Sequence, residues 1–168
     1  MFHGENCMGT KVGVLLIDSN AESMKITKDA LEKNGASHVY TARSIDSAKA
    51  FLRDNTAIFI VMDRYSQEKD NLDLVKWIRN SFNNSNYQSP IIMFMSNPTA
   101  KDVKSARDAG ITEFIVKPFS RDVLRKVVFS VLESPRNFII SRGFVGPDRR
   151  RKKIEPPDGS KKRKEDHS

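Results

Sequence analysis

Four residues whose side chains do chemistry stand where short apolar runs stop: Asp18 after residues 12–17, Asp63 after 57–62, Ser96 after 91–95, and Lys117 after 113–116. Apolar runs this short, rich in β-branched residues, read as strands, and in an open parallel α/β sheet ligands bind beyond the carboxyl ends of the strands. The four residues are therefore expected above one edge of one sheet. Two carboxylates held close together repel each other unless a cation lies between them, and hard oxygen ligands suit Mg²⁺. With Lys117 supplying fixed positive charge and Ser96 a hydroxyl, the set contains what is needed to hold a phosphoryl group and neutralise its oxygens during in-line transfer.

Other chemistry finds little support in the residues. The three histidines are His3, His38 and His167, two of them near the chain ends, so a hydrolase triad lacks its base, and no glycine-rich phosphate loop is present. A plainer alternative stays open on spacing alone: Asp18 and Asp63 cap the helices that follow, with Lys117 as their counter-charge.

The elements that must position these residues follow from length and pattern. The chain has 168 residues, 38% of them hydrophobic and 30% charged, which suits one globular core of about 100–150 residues with an extension. The run at 14–17 is far too short for a signal-peptide core or a spanning helix, which points to the cytoplasm. The single cysteine, Cys7, excludes an internal disulfide and a cysteine-based zinc site. Short apolar runs alternate with amphipathic stretches, the pattern of an α/β fold. The strands are expected at 12–17, 38–41, 57–62, 91–95 and 113–116. The helices between and after them show inner stripes of Met24, Thr27 and Leu31; of Ile45, Ala48 and Leu52; of Leu74, Val75, Ile78 and Phe82; a polar helix over 99–109 ended by Gly110; and Leu124, Val127, Val128 and Val131, capped by Ser120. Trp77, one position off its stripe, is expected to pack at an edge.

On these residues the segment 11–133 resembles a CheY-like receiver domain of two-component signalling. The matching pieces are Leu15-Leu16-Ile17-Asp18, Met62-Asp63, Ser96, and the run from Phe114 through Lys117-Pro118 to Phe119. The resemblance implies a flavodoxin-like five-stranded parallel sheet of order 2-1-3-4-5 with five surrounding helices. It implies a response regulator and phosphoprotein whose Asp63 accepts a phosphoryl group from a histidine kinase or phosphotransfer protein, the chain catalysing only its own modification. Mg²⁺ would be held by Asp18, Asp63 and the backbone carbonyl of Tyr65. Lys117 would contact the phosphoryl group, with a cis bond to Pro118. Ser96 and Phe114 would form the switch, and a protein target would read the face made by helix four, strand five and helix five. For Phe114, an ordinary half-buried strand aromatic is the other reading. The chain departs from the family pattern at Ser19, where a second acid is usual, which weakens the attraction for Mg²⁺. It departs again after Asp63, where Arg64 brings a cation that substitutes in part for the lost charge balance. The competing reading is a pseudo-receiver, a phosphorylation-independent binding module.

The remaining expectations concern the ends. Residues 1–10 read as a flexible leader in which Cys7 and His3 have no assigned role. Residues 134–168 read as a basic tail without its own fold, with 11 Lys and Arg against 5 Asp and Glu. Within it, Arg142, Arg149, Arg150 and Arg151 are a candidate anion site, and a second basic run spans 161–164. Guanidinium planes stack on bases and pair bidentately with phosphate, so cyclic di-GMP is one candidate ligand, with nucleic acid or anionic lipid less favoured and a merely solvated tail as the plainest reading.

Overall fold

The computed structural model describes residues 11–66 and 69–150. The leader with Cys7 and His3, and the tail from Arg151 through the basic run at 161–164, lie outside the described residues.

A five-stranded parallel sheet forms the centre, built from β1 (Lys11–Ile17), β2 (Val39–Ala42), β3 (Thr56–Asp63), β4 (Ile91–Ser96) and β5 (Glu113–Lys117). Its order is β2-β1-β3-β4-β5, as the resemblance implied. The helices are α1 (Ala21–Lys33), α2 (Ile45–Asp54), α3 (Leu72–Asn80), α4 (Ala100–Ala109) and α5 (Arg121–Glu133). Among the described residues no helix is long and apolar enough to cross a membrane.

Alternate residues of the apolar strands feed two cores. Leu15, Ile17, Ile60, Met62, Met93 and Met95 face α2, α3 and α4, whereas Val14, Leu16, Phe59, Val61, Ile92 and Phe94 face α1 and α5. This is why the runs are apolar without alternation: both sheet faces are covered. Each fully buried aliphatic side chain contributes about 1.5–3 kcal/mol of hydrophobic stabilisation. The caps are local chemistry. Asn20, Ser44, Thr99 and Ser120 each accept a backbone N–H in the first turn of their helices, and Gly110 ends α4 at φ 109°, in the left-handed region.

Two expectations are corrected. Phe82 is not on the stripe of α3, because Ser81 ends that helix, its hydroxyl donating to the Trp77 carbonyl at 2.6 Å, and Phe82 lies exposed against Tyr87. Nor is everything past Ser134 without a fold. Residues Phe138–Ser141 (β6) and Phe144–Pro147 (β7) form an antiparallel hairpin turning at Arg142-Gly143, with Gly143 at φ 106°. It rests on the last turns of α3 and α4. A Cβ added at Gly110 would lie 2.7 Å from the Val145 carbonyl oxygen, and one at Gly146 would lie 3.0 Å from the Gly110 Cα. Two glycines thus let the backbones meet.

Beneath the hairpin lies Arg79, which is 1% exposed. Its Nε donates to the Gly110 carbonyl at 2.8 Å and its Nη1 to the Tyr87 and Ser89 carbonyls at 2.8 and 2.7 Å. The guanidinium also lies 5.4 Å from the Phe138 ring centre. Burial pushes its pKa down to about 9, so it remains charged at neutral pH.

Candidate functional site

Asp18 directly follows β1 and is 4% exposed; its N–H donates to the Ala42 carbonyl at 3.1 Å and its Oδ1 accepts the Asn20 N–H at 2.8 Å. Asp63 is the last residue of β3 and half-buried. Lys117, the last residue of β5, reaches across β4, and its ammonium bonds the Asp63 carboxylate while lying 5.8 Å from the centre of the Phe94 ring. The backbone at Asp63 is pinned as well. The Asn71 side chain donates to the Asp63 carbonyl at 2.7 Å, and the next N–H, of Arg64, donates to the Phe94 carbonyl at 2.9 Å. Neither carboxylate is a helix cap, since Asn20 caps α1 and the N-terminal position of α3 belongs to Asn71. The capping alternative is thereby set aside.

The electrostatics follow from this packing. Burial pushes the Asp63 carboxyl above its ordinary range. The hydrogen bond and charge of Lys117 pull the other way, and the nearby charge of Asp18 raises it further. Two carboxylates against one ammonium leave the edge one negative charge in excess, which suits a cation. Among the described residues no group of three or more His, Cys, Asp or Glu could hold a metal ion; with serine at position 19, Asp18 and Asp63 are the acidic pair available. Two carboxylates are enough for Mg²⁺, which keeps several waters and takes further oxygens from a phosphoryl group. The donor set fits that ion.

The other expected residues fall at graded distances from this pair. Ser96 ends β4 opposite Lys117 in the register and is exposed at the rim. Behind that rim a groove of about 1050 Å³ runs between α1 and the loop after β5, with Ser96, Lys117, Phe119 and Ile26 among its walls. The Lys117–Pro118 bond is cis. Tyr65 is paired with Asp70 in a two-residue ribbon, its side chain 57% exposed. Phe114 sits lower in β5, partly buried against the core that α4 covers, with the Arg107 guanidinium 5.7 Å from its ring centre. Trp77 packs at the edge of the same core, under Lys49.

Arg64 and the arginine-rich segment differ from expectation. Arg64 does not offer its charge to the acidic pair: it is 6% exposed and bonds Asp70 and Asp102 instead. Of the candidate anion site, Arg142 stands at the turn of the hairpin, whereas Arg149 and Arg150 follow its other end, so these arginines do not converge. Arg149 is engaged with Asp108 and stacks 4.2 Å from the Phe144 ring centre. Arg151 lies outside the described residues. Sequence reading missed Asn71, which looks like any loop residue until its amide is seen holding the Asp63 backbone.

Comparison with known proteins agrees with this geometry. Residues 14–129 match the response regulator receiver domain family. The chemotaxis protein CheY1 of Helicobacter pylori is 28% identical over 120 residues, covering 71% of this chain and 95% of that protein. The receiver domain of NtrX from Brucella abortus superposes with a TM-score of 0.64 at 26% identity, over 72% of this chain and 98% of that one. The receiver domain of a Pseudomonas aeruginosa sensor histidine kinase, whose crystal structure has a magnesium ion coordinated in its active-site cleft, shares the fold with a TM-score of 0.65 at 22% identity, over 76% of this chain and 100% of that one. With its sheet order, its strand-end Asp63–Lys117 pair and a family match over most of its length, the chain belongs to the receiver domains of two-component response regulators.

Proposed function

We propose that Asp63 is the phosphoacceptor of a response regulator, taking its phosphoryl group from a phosphohistidine on a histidine kinase or phosphotransfer protein. The carrying observation is the Asp63–Lys117 bond beside buried Asp18 at the sheet edge. An Asp63 carboxylate oxygen attacks phosphorus as the bond to the donor imidazole breaks, its electron pair leaving with the imidazole. Lys117 moves from the carboxylate to the arriving phosphoryl oxygens, and the backbone bonds from Asn71 and Arg64 keep the acceptor aimed. Asp18, Asp63 and the Tyr65 carbonyl would hold Mg²⁺, which supplies a Lewis acid for the phosphoryl oxygens. Ile26, 66% exposed on α1 at the groove, offers the donor an apolar foothold.

Signal output is assigned to the face of α4, β5 and α5, with Ser96 and Phe114 as the switch. A dianion on Asp63 gives the Ser96 hydroxyl a new acceptor, and its inward movement frees space toward Phe114. The test is intact mass after incubation with acetyl phosphate and Mg²⁺, beside an Asp63→Ala control. A phosphoryl adduct on the wild type alone supports the reading. No adduct at any Mg²⁺ level, with the fold intact, overturns it in favour of a docking module that needs no phosphoryl group.

A further inference from the structure

The β6–β7 hairpin lies past the segment that matches the receiver family, which ends at residue 129, and it sits at the amino-terminal end of the sheet. Arg136, just before it, bonds Glu113, the first residue of β5, while Val145 and Gly146 press on Gly110 at the end of α4. The carboxyl edge with Asp63 is at the other end of the strands. In an antiparallel pair, residues that exchange both backbone bonds alternate with residues whose N–H and C=O groups point away from the partner strand. The Asp148 N–H donates to the Asn137 carbonyl at 2.7 Å, so those two residues form a bonded pair. The next pair in the register, Phe138 with Pro147, is therefore outward-pointing, as is Ile140 with Val145, whereas Ile139 with Gly146 and Ser141 with Phe144 are bonded.

The two outer edges of this ribbon differ. The β7 edge is closed: the Val145 carbonyl oxygen faces Gly110, Pro147 has no N–H to offer, and Gly146 and Pro147 are buried. On β6 the N–H and C=O groups of Phe138 and Ile140 point the opposite way, and among the described residues no third strand lies beside them. The Ile140 side chain is 59% exposed. Sheets blunt a free edge with lysine, proline or a bulge inside the strand, and Phe138–Ser141 has none of these. Cations flank the edge instead. Arg136 and Arg142 stand at the two ends of β6, and Arg149 and Arg150 follow β7 at the Arg136 end, where Asp148 meets Asn137. Against these four arginines, residues 134–150 hold one acid, Asp148.

We propose that the β6 edge is a docking site for an extended segment of a partner protein, apolar in its middle and acidic at its ends, added to the hairpin as a third strand. Its backbone bonds Phe138 and Ile140, its alternate side chains lie beside Ile140 and the Phe138 ring, and its end carboxylates meet the arginines. The Phe138 ring leads on to Tyr87 and the half-exposed Phe82, edge to face at 5.6 and 5.5 Å, which lengthens the apolar strip. A second copy of this chain suits the edge less. Antiparallel pairing of β6 with itself through Phe138 and Ile140 sets Arg136 across from Arg142 twice, like charge opposite like. Residues 151–168 suit it less as well, with seven lysines and arginines and two prolines. The site is independent of the chemistry at Asp63.

The test titrates the full chain into a fluorescein-labelled peptide, Asp-Asp-Val-Thr-Val-Thr-Asp-Asp, read by anisotropy, beside a control with lysines in place of its aspartates. The acidic peptide is expected to bind saturably below about 1 mM and the basic one not to. Binding should also slow hydrogen exchange at residues 138–141. Ile140→Pro removes one outward N–H and no bond to β7, and is expected to weaken the acidic peptide about tenfold, while Ile140→Val, which keeps the N–H, stays within about twofold. Arg142→Glu lies outside β6 and is expected to weaken it about threefold; it carries the test if Ile140→Pro loosens the hairpin. No saturable binding of the acidic peptide, equal binding of both peptides, or wild-type affinity in Ile140→Pro overturns the proposal. Concentration-dependent protection of residues 138–141 in the chain alone overturns it in favour of a second copy. Protection there in the dilute free chain means that the chain itself covers the edge, and overturns it too.

Discussion

Helices α3 and α4 lie side by side on one face of the sheet, yet the core grips them unequally. α3 buries Leu72, Leu74, Val75 and Ile78, and even its one fully buried cation, Arg79, donates to three backbone carbonyls from two neighbouring segments, with Nη2 buried without a partner. α4 buries two alanines and is otherwise tied at its ends by Arg64 and by the hairpin. Burial of large apolar side chains fixes an element by many small contacts that cannot be exchanged one at a time. Charged hydrogen bonds fix it by a few contacts that another charge can outbid. The same sheet face thus carries a helix held by its apolar side chains and a helix held chiefly by charged contacts at its two ends.

Arg79→Met should have the largest effect, about 4 kcal/mol of stability lost in urea unfolding, because two buried carbonyls and one partly buried carbonyl lose their donor at once. Hairpin protection should fall with it. An Arg79→Met variant of wild-type stability would remove the distinction between the two helices. A paired truncation sharpens it: Leu74→Ala in α3 should cost about 3 kcal/mol and Val103→Ala in α4 about 1 kcal/mol, since the first side chain is fully buried and the second only partly. Equal costs would show that the core holds α4 as firmly as α3.

The next effect is a pH dependence at Asp63. Burial raises the Asp63 carboxyl above 3.8 in the folded chain, so the folded state binds its proton more tightly than the unfolded state. Stability from this group is therefore present below 3.8 and declines as pH rises through the raised value. Asp63→Asn should unfold at higher urea than wild type at neutral pH, and the gap should close below 3.8. The smallest effect is expected at the far end of α4. Arg149→Ala breaks a surface pair whose members are 48% and 40% exposed, which solvent screening limits to about 0.5 kcal/mol or less. Its consequence should appear instead in faster exchange of the hairpin amides.

Much of the site is legible in the sequence, for a physical reason. A strand buried on both faces must be apolar throughout, so the first polar residue after each run marks the sheet edge, and Asp18, Asp63, Ser96 and Lys117 announce themselves by position. The helical stripes were legible in the same way wherever periodicity was carried by aliphatic residues, and misleading where it was not, as Phe82 shows. Arg79 was illegible because a charged residue in a helix reads as solvent-facing; only the carbonyls of Tyr87 and Ser89 from one loop and of Gly110 from another make its burial tolerable. Arg64 read as a charge for the acidic pair and proved to be a tie to Asp70 and to Asp102 of α4.

By itself, then, the sequence determined the α/β alternation, the two-sided core and the residues at the carboxyl edge, because those depend on local polarity and period. The docked hairpin, the buried arginine and the two-ended fastening of α4 were decided only in three dimensions. Phe138, Ile140 and Val145 are too few to declare a strand pair amid charge, glycine and proline. They become structure because α3 and α4 end in a surface, with Gly110 left bare, that a second backbone can approach.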